Sequence, residues 1–133
     1  MDFYLNNDNC TQRLIDEYKK YSKLIIAYDF DNTVYDFHSK GYRFDKVIDL
    51  IRECYELDFY LIVYTCSNKD RYKHIEKYLI KNNIPFNSIN ENNPDINFAH
   101  GKLYYNILLD DRAGLSSAYE SLKGCINYIK QGR

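Results

Sequence analysis

Three apolar segments of this chain each run directly into polar residues, and segments with helical periodicity separate them. Short apolar runs bounded by polar residues are typical of buried strands, and they cover residues 24–28, 59–65 and 104–109, with a shorter strand predicted at 86–89. Apolar residues recur with the period of an amphipathic helix in residues 11–21, 44–56, 70–82 and 116–130. Strands that alternate with helices predict an α/β fold with a mainly parallel sheet and right-handed crossovers.

The length and composition fit a single globular domain. We expect the 133 residues to form one domain, with a lead-in and helix in residues 1–23 and a core in residues 24–133. A net charge of −1 gives no indication of a nucleic-acid or membrane partner. The four cysteines form no C-x-x-C pair, so neither a zinc ribbon nor a redox pair is indicated. Because no apolar run approaches roughly 20 residues and the N-terminus lacks a secretion signal, a cytoplasmic protein is expected.

The first apolar segment ends in two carboxylates, Asp29 and Asp31. Residues i and i+2 of an extended chain face the same side, so both carboxylates can project into one crevice at the carboxyl end of the strand. Open α/β sheets bind their ligands at that edge. Two carboxylates about 4 Å apart repel by roughly 4 kcal/mol at an effective dielectric constant near 20, which favours a bound cation. Mg²⁺, which takes hard oxygen ligands, suits a site that also binds a phosphate.

The stretch from Leu24 to Thr33 resembles motif I of the haloacid dehalogenase (HAD) superfamily, an apolar strand followed by Asp-x-Asp-x-Thr. The resemblance implies that Asp29 is the nucleophile, that Asp31 is the general acid/base, and that Mg²⁺ is the cofactor. It also implies a three-layer, Rossmann-like sheet flanked by helices. A solvated strand end without chemistry is the alternative interpretation of the two acids.

The second apolar segment ends in Thr65, Cys66 and Ser67. This resembles HAD motif II, in which a Ser or Thr hydroxyl at a strand end binds the transferring phosphoryl group. Thr65 matches that hydroxyl by position, Ser67 is the second candidate, and Cys66 lies between them in the expected substrate-binding loop. In the alternative interpretation, Ser67 or Asn68 only caps the following helix, whose N-terminus would itself favour an anion. The basic residues of that helix, Arg71 among them, are expected to face solvent.

The remaining motifs lie on either side of the third apolar segment. Lys102 resembles the motif III lysine, which in the family balances charge on the nucleophile and the phosphate. Asp110 and Asp111 resemble the paired acids of motif IV. The resemblance implies that they hold Mg²⁺ together with the motif I carboxylates, Asp110 directly and Asp111 directly or through water. Two interpretations of Arg112 stay open: it forms a surface ion pair, or it acts near the metal or contacts the substrate.

The order of these features matches the HAD family over nearly the whole chain from Leu24 onward. No stretch of the chain is long enough to hold either of the family's cap domains, so the chain resembles the small capless members. The order also argues against a receiver domain, whose paired acids follow the first strand. A P-loop kinase is not indicated, because the chain contains no G-x-x-x-x-G-K motif.

The resemblance implies a Mg²⁺-dependent phosphatase that acts on a phosphomonoester, with a nucleotide or sugar phosphate favoured, through an aspartyl-phosphate. One alternative is a HAD-fold protein that binds a phosphorylated ligand or partner without turnover. Another is a phosphatase of a macromolecule, such as a nucleic-acid end or a phosphoprotein. Transfer to an acceptor other than water and assembly into a homo-oligomer are also left open. No membrane partner is expected, and nucleic acid is expected only as a substrate.

Overall fold

The computed structural model describes residues 2–98 and 101–132. The helices of this part of the chain are α1 (Asn7–Tyr21), α2 (Asp45–Glu56), α3 (Tyr72–Lys81) and α4 (Leu115–Gln131). The strands are β1 (Ile25–Asp29), β2 (Tyr60–Tyr64), β3 (Ser88–Ile89) and β4 (Ile107–Leu109). These described residues include no inserted cap domain. None of their helices combines the length and the apolar composition needed to cross a membrane.

The four strands pair in parallel in the order β3-β2-β1-β4, which confirms the predicted α/β, Rossmann-like arrangement. Strand β1 lies between β2 and β4, and its first four residues are buried. The chain passes from β3 back across the sheet to form β4 on the other side of β1. The strand order therefore reverses between β1 and β4. Crevices beyond the carboxyl ends of strands at such a reversal are where open α/β sheets bind ligands.

The two faces of the sheet are covered by different structures. One face, which includes Ile26 and Tyr28, belongs to a single buried cluster with apolar residues from all four helices. The opposite face is centred on Ile25, Ala27 and Ile62. The partly buried residues packed against it from outside the sheet come from the irregular connection between β3 and β4: Ile96, Leu103, Tyr104 and Tyr105. The third layer of the predicted fold is therefore a loop rather than a helix.

Asparagine side chains flank the two short strands. At Asn87, Asn90 and Asn106, the backbone N–H donates to a carbonyl of the neighbouring strand. The side-chain Oδ1 of each accepts a backbone N–H from the same neighbouring segment, at 2.7 to 2.9 Å. The side chain thus takes the place of a backbone carbonyl in the ladder, and regular pairing ends there. For this reason β4 begins at Ile107 rather than at residue 104, and β3 is shorter than the predicted 86–89.

Other differences from the predicted elements have local causes. Helix α1 begins at Asn7 rather than at Thr11, because the Asn6 side chain accepts the Asp8 N–H at 2.8 Å and caps the helix. In α2, helical periodicity places Tyr55 among the apolar residues of one face, yet it is 57% exposed, whereas Leu50 is buried. In α4, four apolar residues at helical spacing are buried: Leu122, Cys125, Ile126 and Ile129.

Candidate active site

The carboxyl ends of β1, β2 and β4 open into one cleft of about 700 Å³. Seven of the eight site residues proposed from the sequence line this cleft: Asp29, Asp31, Thr65, Cys66, Ser67, Asp110 and Asp111. The eighth, Lys102, does not line the cleft. It lies beside Leu103 and Tyr104, in the connection that covers the opposite face of the sheet. The seven residues converge because parallel strands bring their carboxyl ends to one edge.

Three carboxylates crowd together in this cleft. Asp29 at the end of β1, and Asp110 and Asp111 just after β4, each offer an oxygen within 4.8 Å of the others. Burial, then the charge of Asp110 and the hydrogen bond and charge of Asp111, raise the pKa of Asp29 from 3.8 to about 7. Three crowded carboxylates that offer hard oxygen donors fit a divalent cation such as Mg²⁺. The carboxylate of Asp31, the fourth ligand proposed from the sequence, is not part of this group.

Thr33 connects the two acidic strand ends, a role that the sequence alone did not assign. Its buried hydroxyl oxygen accepts the backbone N–H of Asp111 at 3.1 Å. The same oxygen lies 3.4 Å from one carboxylate oxygen of Asp29 and 3.4 Å from one of Asp111. The preceding residue, Asn32, has a left-handed φ of 61°, a conformation that Asn tolerates better than most residues. The Thr at the end of Asp-x-Asp-x-Thr was the available signal for this link.

The loop after β2 is held in place by Asn90. The Asn90 side chain accepts the backbone N–H of Thr65 at 2.9 Å and donates to the Thr65 carbonyl at 2.7 Å. It also donates to the hydroxyl of Tyr72 at 2.8 Å. The Thr65 hydroxyl oxygen accepts the N–H of Ser67 at 3.1 Å, which closes a tight turn beside the cleft. Neither Ser67 nor Asn68 makes a capping hydrogen bond to the next helix, so the capping interpretation is wrong.

Arg71 forms a two-pronged ion pair with Asp31. Its Nη1 lies 2.6 Å from Asp31 Oδ2, and its Nη2 lies 2.8 Å from Asp31 Oδ1. Nη1 also donates to the hydroxyl of Ser67 at 2.9 Å. Three aromatic rings surround the guanidinium group, with ring centres 5.3 to 5.9 Å from its carbon: Phe30, Tyr35 and Phe37. Arg71 thus connects the end of β1 to the loop after β2.

The expectation that Arg71 faces solvent is wrong, since its side chain is only 27% exposed. Helix α3 begins at Tyr72, so Arg71 lies in the 3₁₀ turn Lys69–Arg71 rather than on the outer face of the helix. Its hydrogen bonds to Asp31 raise the pKa of Arg71, which keeps the guanidinium charged. Helical periodicity could not reveal this contact, because the periodic pattern does not show where the helix begins.

Arg112 also lines the cleft, but it is exposed. Within residues 2–98 and 101–132, Arg112 makes no ion pair, so the expected surface pair is not formed there. Its backbone N–H donates to Asp110 Oδ1 at 2.9 Å. This contact shapes the turn after β4.

The crowded carboxylates predict a pH-dependent stability of the metal-free protein. Because the folded-state pKa of Asp29 is raised from 3.8 to about 7, ionising Asp29 destabilises the fold progressively as the pH rises between those values. We expect the unfolding midpoint of the metal-free protein to fall by roughly 3–6 °C from pH 5 to pH 8, and Mg²⁺ to reverse the fall at pH 8. Thermal denaturation followed by circular dichroism measures both effects.

Two variants serve as controls for this stability experiment. Asp110→Asn should weaken both the fall with pH and the gain from Mg²⁺, because it removes one of the three crowded charges. Asp70→Asn removes a carboxylate that lines the same cleft but lies outside the group of three, so it should leave both effects intact. Equal behaviour of the two variants would argue against a shared cation site.

Comparisons with known proteins bear on the fold alone. No protein-family model matches the chain, and no curated protein matches it. A solved structure, that of a conserved protein coded by a locus from Bacteroides thetaiotaomicron, matches with a TM-score of 0.61 and 17% sequence identity. The match covers 84% of this chain and 93% of that one. The likeness shows that the α/β arrangement occurs in a solved structure.

Proposed function

We propose that this protein is a Mg²⁺-dependent phosphatase of the HAD type that acts on small phosphomonoesters, with a nucleotide or sugar phosphate favoured. The observation that carries the proposal is the convergence of three elements in one cleft. The group of Asp29, Asp110 and Asp111 supplies hard ligands for a cation, Asp31 lies beside it, and the turn at Thr65 closes the third side. These elements come from three strand ends that are far apart in the sequence.

The charges in the cleft support a requirement for a metal. Two arginines line the cleft, Arg71 and Arg112. Five carboxylates line it as well: Asp29, Asp31, Asp70, Asp110 and Asp111. A phosphate dianion entering this cleft without a cation would meet a net negative field. Bound Mg²⁺, held by Asp29, Asp110 and Asp111, would neutralise charge on the phosphoryl group and on the nucleophile.

The protein's own residues then have separate roles in the proposed reaction. A carboxylate oxygen of Asp29 attacks phosphorus, and the bond from phosphorus to the leaving oxygen breaks as the aspartyl-phosphate forms. Asp31 donates a proton to the leaving oxygen and afterwards accepts one from the water that hydrolyses the aspartyl-phosphate. The hydroxyl of Thr65 and the neighbouring N–H groups orient the phosphoryl oxygens. These two steps leave Asp29 free of phosphate and Asp31 protonated again, as at the start.

A binding role without turnover is the second candidate function, and one observation favours it. Both oxygens of Asp31 accept hydrogen bonds from Arg71, so the carboxylate already has a partner within the protein. In a protein that only binds a phosphorylated ligand or partner, such a pair would be a permanent structural link. The absence of a cap among the described residues leaves the cleft open, so a macromolecular phosphate remains a candidate substrate or ligand.

The test is release of inorganic phosphate from a panel of nucleotides, sugar phosphates, 5′- and 3′-phosphorylated oligonucleotides and phosphopeptides, with Mg²⁺ or with a chelator. We expect turnover of at least one small phosphomonoester that stops on chelation and returns when Mg²⁺ is added. Turnover of the oligonucleotides or phosphopeptides alone would replace the favoured substrate class by a macromolecular one. Turnover that is indifferent to the chelator, or no turnover anywhere in the panel, would contradict the proposal.

A further inference from the structure

The cleft needs a fixed positive group that can contact a phosphate, and Lys102 is not placed to supply it. Lys102 is exposed and lies with Leu103 and Tyr104 outside the cleft. Arg112 lines the cleft, but its side chain is exposed and makes no ion pair with the residues that the structure describes. Of the lysine and arginine side chains that line the cleft, Arg71 is the one whose position is determined by several contacts.

Three kinds of contact hold the Arg71 guanidinium group. Asp31 fixes it through both Nη atoms, and the Ser67 hydroxyl accepts a further hydrogen bond from Nη1. The rings of Phe30, Tyr35 and Phe37 surround it at cation–π distances. A charged donor that is held this firmly loses little side-chain freedom when it binds a ligand, which is the condition for effective recognition of an anion.

The guanidinium group also has hydrogen-bonding capacity to spare. Arginine carries five N–H donors, and the contacts to Asp31 and Ser67 use three of them. The donor on Nε and the second donor on Nη2 make no hydrogen bond to any of the residues that the structure describes. They form one edge of the planar group, which matches two oxygens of a tetrahedral phosphate. Ser67, already bonded to Arg71, belongs to the turn at Thr65 on the same side of the cleft.

We infer that Arg71 is the cationic residue that binds the phosphoryl group in this cleft, in the role that the sequence assigned to Lys102. The ligand class is a phosphate dianion, and the assignment rests on the proposed function for the identity of that ligand. Arg71 contacts the phosphate through its Nε and Nη2 edge while its other edge holds Asp31. Because one guanidinium group contacts both partners, it also keeps the Asp31 carboxylate next to the phosphoryl group.

The experiment measures binding of inorganic phosphate in the presence of Mg²⁺ by isothermal titration calorimetry, which requires no turnover. Arg71→Met keeps an unbranched apolar side chain among the three rings but removes the charge, and we expect it to raise the dissociation constant at least ~10-fold. Arg71→Lys restores the charge without the fork, and it should recover part of that loss. Lys102→Met should leave the dissociation constant within about twofold of the wild-type value.

The outcomes separate this assignment from the proposed function. A dissociation constant for Arg71→Met within about threefold of wild type, a loss that Arg71→Lys does not reduce, or a wild-type protein that fails to bind phosphate would each overturn the role of Arg71. The second of these outcomes would show that Arg71 only supports the structure. Phosphate binding that depends on Arg71 in a protein that hydrolyses no phosphomonoester would uphold the assignment while contradicting the phosphatase.

Discussion

Asp29→Asn is expected to lower Mg²⁺-dependent phosphate release by at least ~10³-fold, because an amide oxygen cannot serve as the anionic nucleophile at phosphorus. The substitution keeps the shape of the side chain and removes one of three crowded charges. The variant should therefore fold, and without metal at pH 8 it should be more stable than wild type, given the raised pKa of Asp29. Phosphate release and thermal denaturation on the same preparation measure both effects.

Trapping the covalent intermediate tests the role of Asp29 as the nucleophile independently. Rapid acid quenching of wild type mixed with substrate should trap phosphate on the protein in a form that hydroxylamine releases, as expected of an acyl phosphate. Asp29→Asn should trap none. Phosphate release by Asp29→Asn within tenfold of wild type would remove Asp29 as the nucleophile, and trapped phosphate on a different residue would identify its replacement.

Asp31→Asn is expected to show an effect that depends on the leaving group. The general acid matters most when the departing oxygen is strongly basic, so hydrolysis of an alkyl phosphate should fall ~10²- to 10⁴-fold. With p-nitrophenyl phosphate, whose leaving group needs no proton, formation of the aspartyl-phosphate should fall much less. Pre-steady-state measurement of p-nitrophenol release separates this step from the later hydrolysis, which also requires Asp31 as a base.

Asp70→Asn is the matched control for Asp31→Asn, since Asp70 lines the same cleft and neighbours Arg71 in the chain. It should affect alkyl and p-nitrophenyl phosphates equally and weakly. A uniform loss with both substrates in Asp31→Asn would indicate that Asp31 acts only by holding Arg71. In that case the Arg71–Asp31 ion pair would be a structural link, and the acid would have to be found elsewhere.

The sequence predicted the parallel sheet well because buried strands and amphipathic helices leave strong periodic signals. It did not predict the loop that covers the second face of the sheet. Tyr104 and Tyr105 have the composition of strand residues, yet they precede β4 because the side chain of Asn106 takes the hydrogen bond that would have extended the pairing. An asparagine that imitates a backbone carbonyl looks like any polar residue in the sequence.

The candidate site was predictable where it lies at strand ends and not where it depends on loops. Asp29, Thr65 and Asp110 follow apolar strands, and the topology of a parallel sheet brings such positions together. Arg71 reaches the cleft from a 3₁₀ turn, and Asn90, which holds the loop after β2, has a left-handed φ of 54°. Their contacts depend on side-chain geometry between segments, which no local pattern encodes.

The sheet order has a consequence for how the molecule folds. Strand β4 completes the far side of β1 only through contacts between residues 81 positions apart, such as Ile25 with Asn106. Until that long loop closes, β1 is an edge strand with unpaired N–H and C=O groups, which exposes the nascent chain to aggregation. Asp110 and Asp111 arrive with β4, so a cation that needs all three carboxylates binds only the completed sheet. A bound cation would then slow the detachment of β4 and so lower the unfolding rate.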